Sequence, residues 1–271
     1  MKLPHWLFFS LLLLIFTSFI KCNIDKGLSL VDSEEILKHG IKGEIHFNGE
    51  WQNNVAEARL VVAAGLDPNA TDLQDSFIFS DPIQVGARQF SYEMSLEPAT
   101  YEIAAVIFRE PGSSWEISNI LAVHEPLSAC SVLPNPDRPI KITSATTIVD
   151  SVDFEVDLSK GAITGTVDFL GDWPADIGFA AVLAFELPFS LIPCGLGIIP
   201  VGSESAEYKV LVPEDTYTLA VVVGASLSLT ELTFIGECVE PGTQNPCALT
   251  VAKNANLQNI NLTADLNRLS N

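Results

Sequence analysis

The sequence predicts an all-β protein: two tandem antiparallel β-sandwich domains behind an N-terminal signal segment. The first observation is an internal repeat, because IKGEIHFNGEW, starting at Ile41, returns as ITGTVDFLGDW, starting at Ile163. The second is that apolar and polar residues alternate with period two through both copies, as in half-buried strands. The third is that helical periodicity is almost missing after the signal segment.

Residues 1–22 have the form of a secretory signal. Lys2 precedes an apolar run from Trp6 to Ile20, and this charged start followed by an apolar stretch is typical of a signal peptide. The run is short for a bilayer span. Cys22 stands where a bacterial lipoprotein is cleaved and acylated, but Lys21 replaces the small residue usual there. Lipidation of Cys22, ordinary cleavage near it and a retained anchor stay open, and each predicts export.

Residues 23–40 form a leader in which the sequence predicts one short helix. The segment DSEEILKHG offers Asp32 or Ser33 as an N-terminal cap, acidic residues in the first turn and Gly40 as a terminator. Turn signals follow every ten residues or so beyond this point, which favours strands over helices.

The two copies can be traced along most of the chain. VGARQFSYEMSLEPATYEIAAVIF, from Val85, returns as VGSESAEYKVLVPEDTYTLAVVVG, from Val201, and VDFEVDL, from Val152, returns as INLTADL, from Ile260. The offset falls from 122 to 116 to 108 along the chain, as loops of unequal length between equivalent strands would produce. We expect one sandwich over residues 41–159 and another over residues 160–271, each with about seven strands and an immunoglobulin-like architecture.

Two segments of the repeats share a turn motif, LEPATYEIAAV, from Leu96, and LVPEDTYTLAVVV, from Leu211. They resemble the Pro-x-Gly-Thr-Tyr segment of the transthyretin-like sandwiches, also called carboxypeptidase regulatory-like or prealbumin-like domains, with Ala99 and Asp215 in place of the glycine. The resemblance implies tandem sandwiches of exported bacterial lipoproteins, within a group that includes starch-binding-like domains.

Tyr101 and Tyr217 follow the turns of these two segments and enter apolar strands. A tyrosine there can fill the core with its ring while its hydroxyl bonds to backbone across the corner. We therefore expect a structural role for both, rather than ligand-facing phenols.

Cysteine usage indicates disulfides, because an exported protein matures in an oxidising compartment. Cys238 and Cys247 bracket the turn-rich VEPGTQNP, so they are the pair most easily closed. Cys130 and Cys194 are then left to bridge the two halves or to stay as buried thiols. The spacing has no CxxC motif and no histidine nearby, so no zinc site is expected.

Three tryptophans are candidates for stacking on a ligand. Trp51 and Trp173 end the repeated Gly-acid-Trp segments and share parity with the apolar faces of their strands, so we expect each to cap a sandwich. The alternative is a platform for a sugar ring. Trp115 lies in the polar segment EPGSSWEIS and is expected to be the more exposed indole.

The charge balance excludes several partners. Lys and Arg total 14 against 34 Asp and Glu, giving a net charge of −20. Such a chain repels phosphate backbones and anionic lipids, so we expect no nucleic acid and contact with membrane only through the N-terminal anchor. The segment DPNATD offers oxygens from Asp67 to Asp72, but it lacks the glycine and the glutamate of a calcium-binding EF-hand loop. No metal or cofactor is expected.

Residues that carry catalysis are scarce. After the signal the histidines are His39, His46 and His124, and none belongs to a metalloprotease, nucleophile-elbow or phosphate-loop motif. The sequence therefore predicts an exported, envelope-anchored, non-catalytic structural or binding protein of the periplasm or outer surface, whose partner is a surface protein or a polysaccharide. The alternative is a carbohydrate-binding surface protein, and the third hypothesis is a hydrolase.

Overall fold

The computed structural model describes residues 39–65, 76–145, 148–188, 190–225, 231–240, 242–243 and 245–270. The signal segment with Cys22, most of the predicted leader helix and the DPNATD segment lie outside these residues. Within them the protein is an all-β sandwich, as the alternation predicts.

Among its described residues, the first repeat contains nine strands and one 3₁₀ turn, Ile117–Asn119. The strands are β1 (Gly40–Asn48), β2 (Glu57–Ala63), β3 (Ile78–Phe79), β4 (Gln89–Ser95), β5 (Thr100–Tyr101), β6 (Ile103–Arg109), β7 (Ile120–Val123), β8 (Ile140–Lys141) and β9 (Phe154–Asp157).

The described part of the second repeat has the same number of strands, followed by a 3₁₀ turn, Leu266–Ser270. The strands are β10 (Gly161–Leu170), β11 (Phe179–Glu186), β12 (Gly195–Ile198), β13 (Ser205–Val212), β14 (Asp215–Gly224), β15 (Thr233–Glu237), β16 (Leu249–Val251), β17 (Asn256–Leu257) and β18 (Leu262–Asp265).

The same strand order is built twice. In the first repeat β4-β1-β9 form one sheet and β3-β2-β6-β7 another, while β5 pairs with β8. In the second repeat the equivalent strands join through β15 and β18 into one sheet, ordered β12-β11-β14-β15-β18-β10-β13. Most pairs are antiparallel, but the first and last long strands of each repeat, β1 with β9 and β10 with β18, run parallel.

A glycine and a tyrosine close each sandwich. In each repeat a glycine of the first strand faces a tyrosine whose hydroxyl donates to a backbone carbonyl just before the last strand. The residues are Gly43, Tyr92 and Val152 in the first repeat, and Gly165, Tyr208 and Ile260 in the second. A Cβ on either glycine would overlap that carbonyl oxygen, so only glycine allows the approach. Burial raises the pKa of both phenols, which keeps the donating hydroxyl protonated.

The tyrosines of the two turn segments have the structural role that the sequence predicts. The Tyr101 hydroxyl donates to the carbonyl oxygen of Glu97 at 2.9 Å, and the Tyr217 hydroxyl donates to that of Pro213 at 3.0 Å. Both rings are buried in the cores of their sandwiches. The prediction that these rings fill the core is confirmed.

The described residues after His39 form one compact unit, because the repeats share an apolar interface. Each sandwich has its own inner core. A third cluster combines the outer faces of β2 and β6 with those of β11 and β12, and it includes Ala105, Ile107, Ala181, Leu183 and Leu196. Independent folding of residues 41–159 and 160–271 stays a prediction.

Lys160, at the predicted boundary between the domains, is buried in the contact between the repeats. Its ammonium donates to the carbonyl oxygen of Leu121 at 2.6 Å. Loss of solvation lowers the pKa of Lys160 to about 8, although the nearby Asp157 carboxylate opposes this effect. A charged group therefore lies at the boundary that the sequence predicts between residues 159 and 160.

Candidate functional site

An apolar groove on the outer face of the second repeat is the candidate functional site. Alternate residues of β11 face the inner core, while Phe179, Ala181, Leu183 and Phe185 face outward. Strands with two apolar faces are typical of sheets covered on both sides. The first repeat packs over the outward-facing side chains of β11 as far as Leu183. Phe185, near the end of β11, is only half-buried.

The uncovered end of this face forms a groove of about 530 Å³, which is within the range of ligand sites in proteins. Its apolar lining consists of Leu183, Phe185, Leu187, Leu191, Leu219, Ala220, Leu232, Phe234 and Pro246. Phe234 of β15 is 56% exposed, and Leu191 is 92% exposed. The Phe185 and Phe234 ring centroids lie 6.1 Å apart. A cluster of exposed apolar side chains often marks an interaction site, whereas single exposed apolar residues are common on any protein surface.

Charged groups lie at the rim of the groove. Its lining includes the carboxylates of Glu186 and Glu237 and the guanidinium of Arg268. Thr218 Oγ1, which lies in the same wall, is buried and makes no hydrogen bond with any residue that the structure describes. The groove therefore combines an apolar floor with a net acidic rim.

The Cys130–Cys194 disulfide lies beside the groove and joins the two repeats. The Glu186 carboxylate is within 4.8 Å of both sulfurs, but sulfurs held in a disulfide provide no thiolate for a metal. The second disulfide, Cys238–Cys247, closes the loop between β15 and β16, and both strands pair with β14. Cys130 and Cys194 thus bridge the halves rather than remaining thiols.

The Gly-acid-Trp segments form equivalent corners. Trp51 Nε1 donates to the carbonyl oxygen of Ala87, and Trp173 Nε1 to that of Ser203, both at 2.8 Å. Each acceptor follows a glycine with positive φ, Gly86 or Gly202, in the turn before β4 or β13. The indoles lie 4.7 and 4.6 Å from Phe47 and Phe169 of their own strands. This geometry supports corner capping, and stacking of a sugar on Trp51 or Trp173 stays a hypothesis.

The expectation that Trp115 is exposed is wrong. Its indole is only 7% exposed and belongs to the apolar cluster between the repeats. The centroid of the Phe79 ring lies 5.3 Å from the Trp115 ring centroid. The Arg109 guanidinium lies over the indole, 5.5 Å from the same centroid. The polar residues around Trp115 in sequence face solvent while the indole turns inward, because its large apolar area favours burial.

A second groove, of about 590 Å³, has a polar lining. It contains the hydroxyl and amide groups of Thr164, Thr166, Gln258, Asn259 and Asn261, and Asn261 Oδ1 accepts from Thr166 Oγ1 at 2.8 Å. Its aromatic residue is Tyr208, whose ring is buried and whose hydroxyl is bonded to Ile260. The lining therefore offers hydrogen bonds but no exposed ring for stacking.

The contacts of His46 and His124 within the described part of the chain are with a carboxylate and an aromatic ring. His46 pairs with Glu44 at 3.3 Å on the exposed face of β1. His124 packs 5.9 Å from the Phe154 ring, and its buried Nδ1 has no hydrogen-bond partner among the described residues. A general base needs a nucleophile or substrate proton within hydrogen-bond reach, and these contacts provide neither.

Among the described residues, no helix has the length and apolar character needed to cross a bilayer. That finding applies to residues 39–270 with their gaps and leaves the N-terminal segment outside it.

No protein-family model matches the sequence, and no curated protein matches it. Solved structures do show similarity. A leucine-rich repeat protein of Bacteroides thetaiotaomicron VPI-5482 matches with 14% identity and a TM-score of 0.38, over 84% of this chain and 26% of that one. A candidate adhesin of Bacteroides ovatus matches with 10% identity and a TM-score of 0.24, over 81% of this chain and 88% of that one.

A candidate cell adhesion protein of Bacteroides fragilis NCTC 9343 matches with 12% identity and a TM-score of 0.19, over 79% of this chain and 81% of that one. Because these identities and scores are low, no property of the three proteins is transferred to this chain. The resemblance to transthyretin-like domains stays a prediction from the sequence.

Proposed function

We propose that the protein is an exported, envelope-anchored, non-catalytic binding protein that holds a partner protein in the apolar groove of the second repeat. The observation that carries the proposal is the exposed pair Phe234 and Leu191 above an apolar floor. Leaving such side chains in water costs free energy that a bound apolar group recovers.

The groove suits a protein segment with a bulky apolar side chain and a basic neighbour. The apolar floor favours an aliphatic or aromatic anchor, since such anchors dominate the energetics of interfaces. Glu186 and Glu237 outnumber Arg268 at the rim, and the whole chain carries a charge of −20. Lysine or arginine beside the anchor therefore complements the rim and speeds association.

Export is supported by the signal-like residues 1–22 and by the two disulfides, since disulfides persist mainly in oxidising compartments. Cys22 is the proposed point of lipid attachment. Fractionation of cells producing the parent and a Cys22→Ser variant tests this part: the parent is expected with the envelope and the variant in the soluble exported fraction. Recovery of the parent from the cytoplasm would contradict export.

The polar groove of the second repeat favours the carbohydrate-binding alternative, because its hydroxyl and amide groups can bond to sugar hydroxyls. The test therefore uses two kinds of probe, an array of short peptides and a panel of soluble polysaccharides. We expect the parent to retain peptides with a bulky apolar residue next to Lys or Arg.

Phe234→Ser is expected to abolish that retention without lowering the unfolding temperature, because the side chain is largely exposed. Leu170→Ser is the matched control, since Leu170 is also an exposed apolar residue of the second repeat but lies outside the groove. Retention of polysaccharide alone, unaffected by Phe234→Ser, would replace the proposal with the carbohydrate-binding alternative.

A further inference from the structure

We infer that Lys209 and Asn119 form an isopeptide bond, with Glu110 as the general acid and base, which adds a second covalent cross-link between the two repeats to the Cys130–Cys194 disulfide. The inference is independent of ligand binding at the apolar groove. The side chains come from three elements: Glu110 directly follows β6, Asn119 ends the 3₁₀ turn Ile117–Asn119, and Lys209 lies in β13.

The three reacting groups are in contact. Lys209 Nζ lies 2.6 Å from Glu110 Oε1 and 3.1 Å from Asn119 Oδ1. The carbonyl carbon Cγ is one C=O bond, about 1.23 Å, from Oδ1. Nζ therefore needs a movement of at most about 1 Å to reach the near-attack distance of about 3 to 3.5 Å from Cγ.

The carboxamide of Asn119 is buried, whereas the Lys209 and Glu110 side chains are 25% and 34% exposed and Lys209 also lines the polar groove. Asn119 is only 2% exposed, and the buried Phe108 ring has its centroid 5.4 Å from Lys209 Nζ. Such an apolar wall limits the access of water to the carboxamide. Asn54 Nδ2 also donates to Glu110 Oε1, at 3.1 Å, and so helps to orient the carboxylate. An ion pair alone would need only Glu110, whereas the buried carboxamide of Asn119 supplies an electrophile.

The chemistry requires no other reactant. Glu110 accepts a proton from the Lys209 ammonium, and the freed lone pair on Nζ forms a bond to Asn119 Cγ. The Cγ–Nδ2 bond breaks as Glu110 returns the proton to Nδ2. Of the three protons on Nζ, one stays on the new amide and two leave with Nδ2 as ammonium. Glu110 ends as the carboxylate it was at the start, and no atom is oxidised or reduced.

Mass spectrometry of the exported full chain under reducing conditions tests the inference. The expected mass is lower than that of the unlinked mature chain by one molecule of ammonia. Proteolysis is expected to give a linked pair of peptides, one with Asn119 and the other with Lys209, that survives reduction. Lys209→Arg keeps the positive charge but should have the full mass, and Glu110→Gln should also lack the link. Ser118→Ala, in the same turn, should retain it.

Two results would overturn the inference. One is a parent chain of full mass whose Asn119 and Lys209 peptides separate after digestion. The other is a loss of ammonia without any linked pair of peptides, which would indicate cyclisation of an asparagine instead. Thermal unfolding of Lys209→Arg and Glu110→Gln, compared with Ser118→Ala, shows that each variant is folded when its mass is read.

Discussion

The two repeats share their closing contacts but differ in what covers their outer faces. Both have the glycine–tyrosine closure, the Trp corner and the parallel pairing of first and last strands. In the first repeat the outward residues of β6 are buried between the repeats. In the second repeat the equivalent face continues beyond that contact and ends at the exposed Phe234.

This difference separates the residues of the fold from those of the proposed binding site. The residues that recur, such as Gly43 with Gly165 and Tyr92 with Tyr208, hold backbone to backbone inside each sandwich. The groove residues have no such recurrence, since Phe234 and Leu191 lie in segments where the copies do not match. A repeated residue therefore points to architecture here, and an unrepeated exposed one to recognition.

The largest expected effect comes from removing the disulfide between the repeats. The double variant Cys130→Ser with Cys194→Ser opens a link between residues 64 apart, whereas Cys238 and Cys247 are 9 apart. In the chain-entropy model the first bond contributes about 4 kcal/mol and the second roughly 2.5 kcal/mol. Denaturant unfolding should show a larger loss of stability for this variant than for the double variant Cys238→Ser with Cys247→Ser. Equal losses would mean that the bond between the repeats constrains the unfolded chain less than its length implies.

The next comparison concerns the two Trp corners. Trp51→Ala and Trp173→Ala should each lower the free energy of unfolding by about 3 kcal/mol, because each removes an indole packed on a Phe and bonded to a turn. The exposed Leu170→Ser serves as a control with little expected change. A Trp173→Ala protein that melts like the parent yet loses retention on a polysaccharide would favour the sugar platform.

The smallest of the three effects concerns Lys160, at the start of the second repeat. Its pKa falls from 10.5 to about 8 on folding, so between these values the unfolded chain binds the proton and the folded chain does not. Stability attributable to this group therefore rises with pH through that window. Relative to Lys160→Met, the parent should gain about 2 kcal/mol between pH 7 and 10. Thermal unfolding at both values measures this, and a loss on raising the pH would contradict it.

Alternation and repetition sufficed to predict the fold, because they report directly on which side of a strand is buried. The sequence predicts the structural role of Tyr101 and Tyr217, and the structure confirms it. For Cys130 and Cys194 the sequence allows either a disulfide between the halves or buried thiols, and the structure contains the disulfide. Parallel pairing of β1 with β9 was not predictable, since residues more than a hundred positions apart meet there.

The site was beyond sequence reasoning for a physical reason. The sequence predicts an exposed Trp115 because its neighbours are polar, but the indole packs on Phe79, which is distant in sequence, within the apolar cluster between the repeats. Local sequence carries no record of that contact. Phe234 and Ile235 are adjacent apolar residues on opposite faces of β15. Sequence alone does not say which of these two faces the core, so the exposed one could not be singled out.

The parallel pairing of first and last strands has a mechanical consequence. Chain enters the first repeat through β1 and leaves it through β9, and the second repeat is bounded likewise by β10 and β18. A pull on the two ends of either repeat acts along these neighbouring strands in opposite directions. Their hydrogen bonds are then loaded in shear and must break together instead of unzipping one at a time.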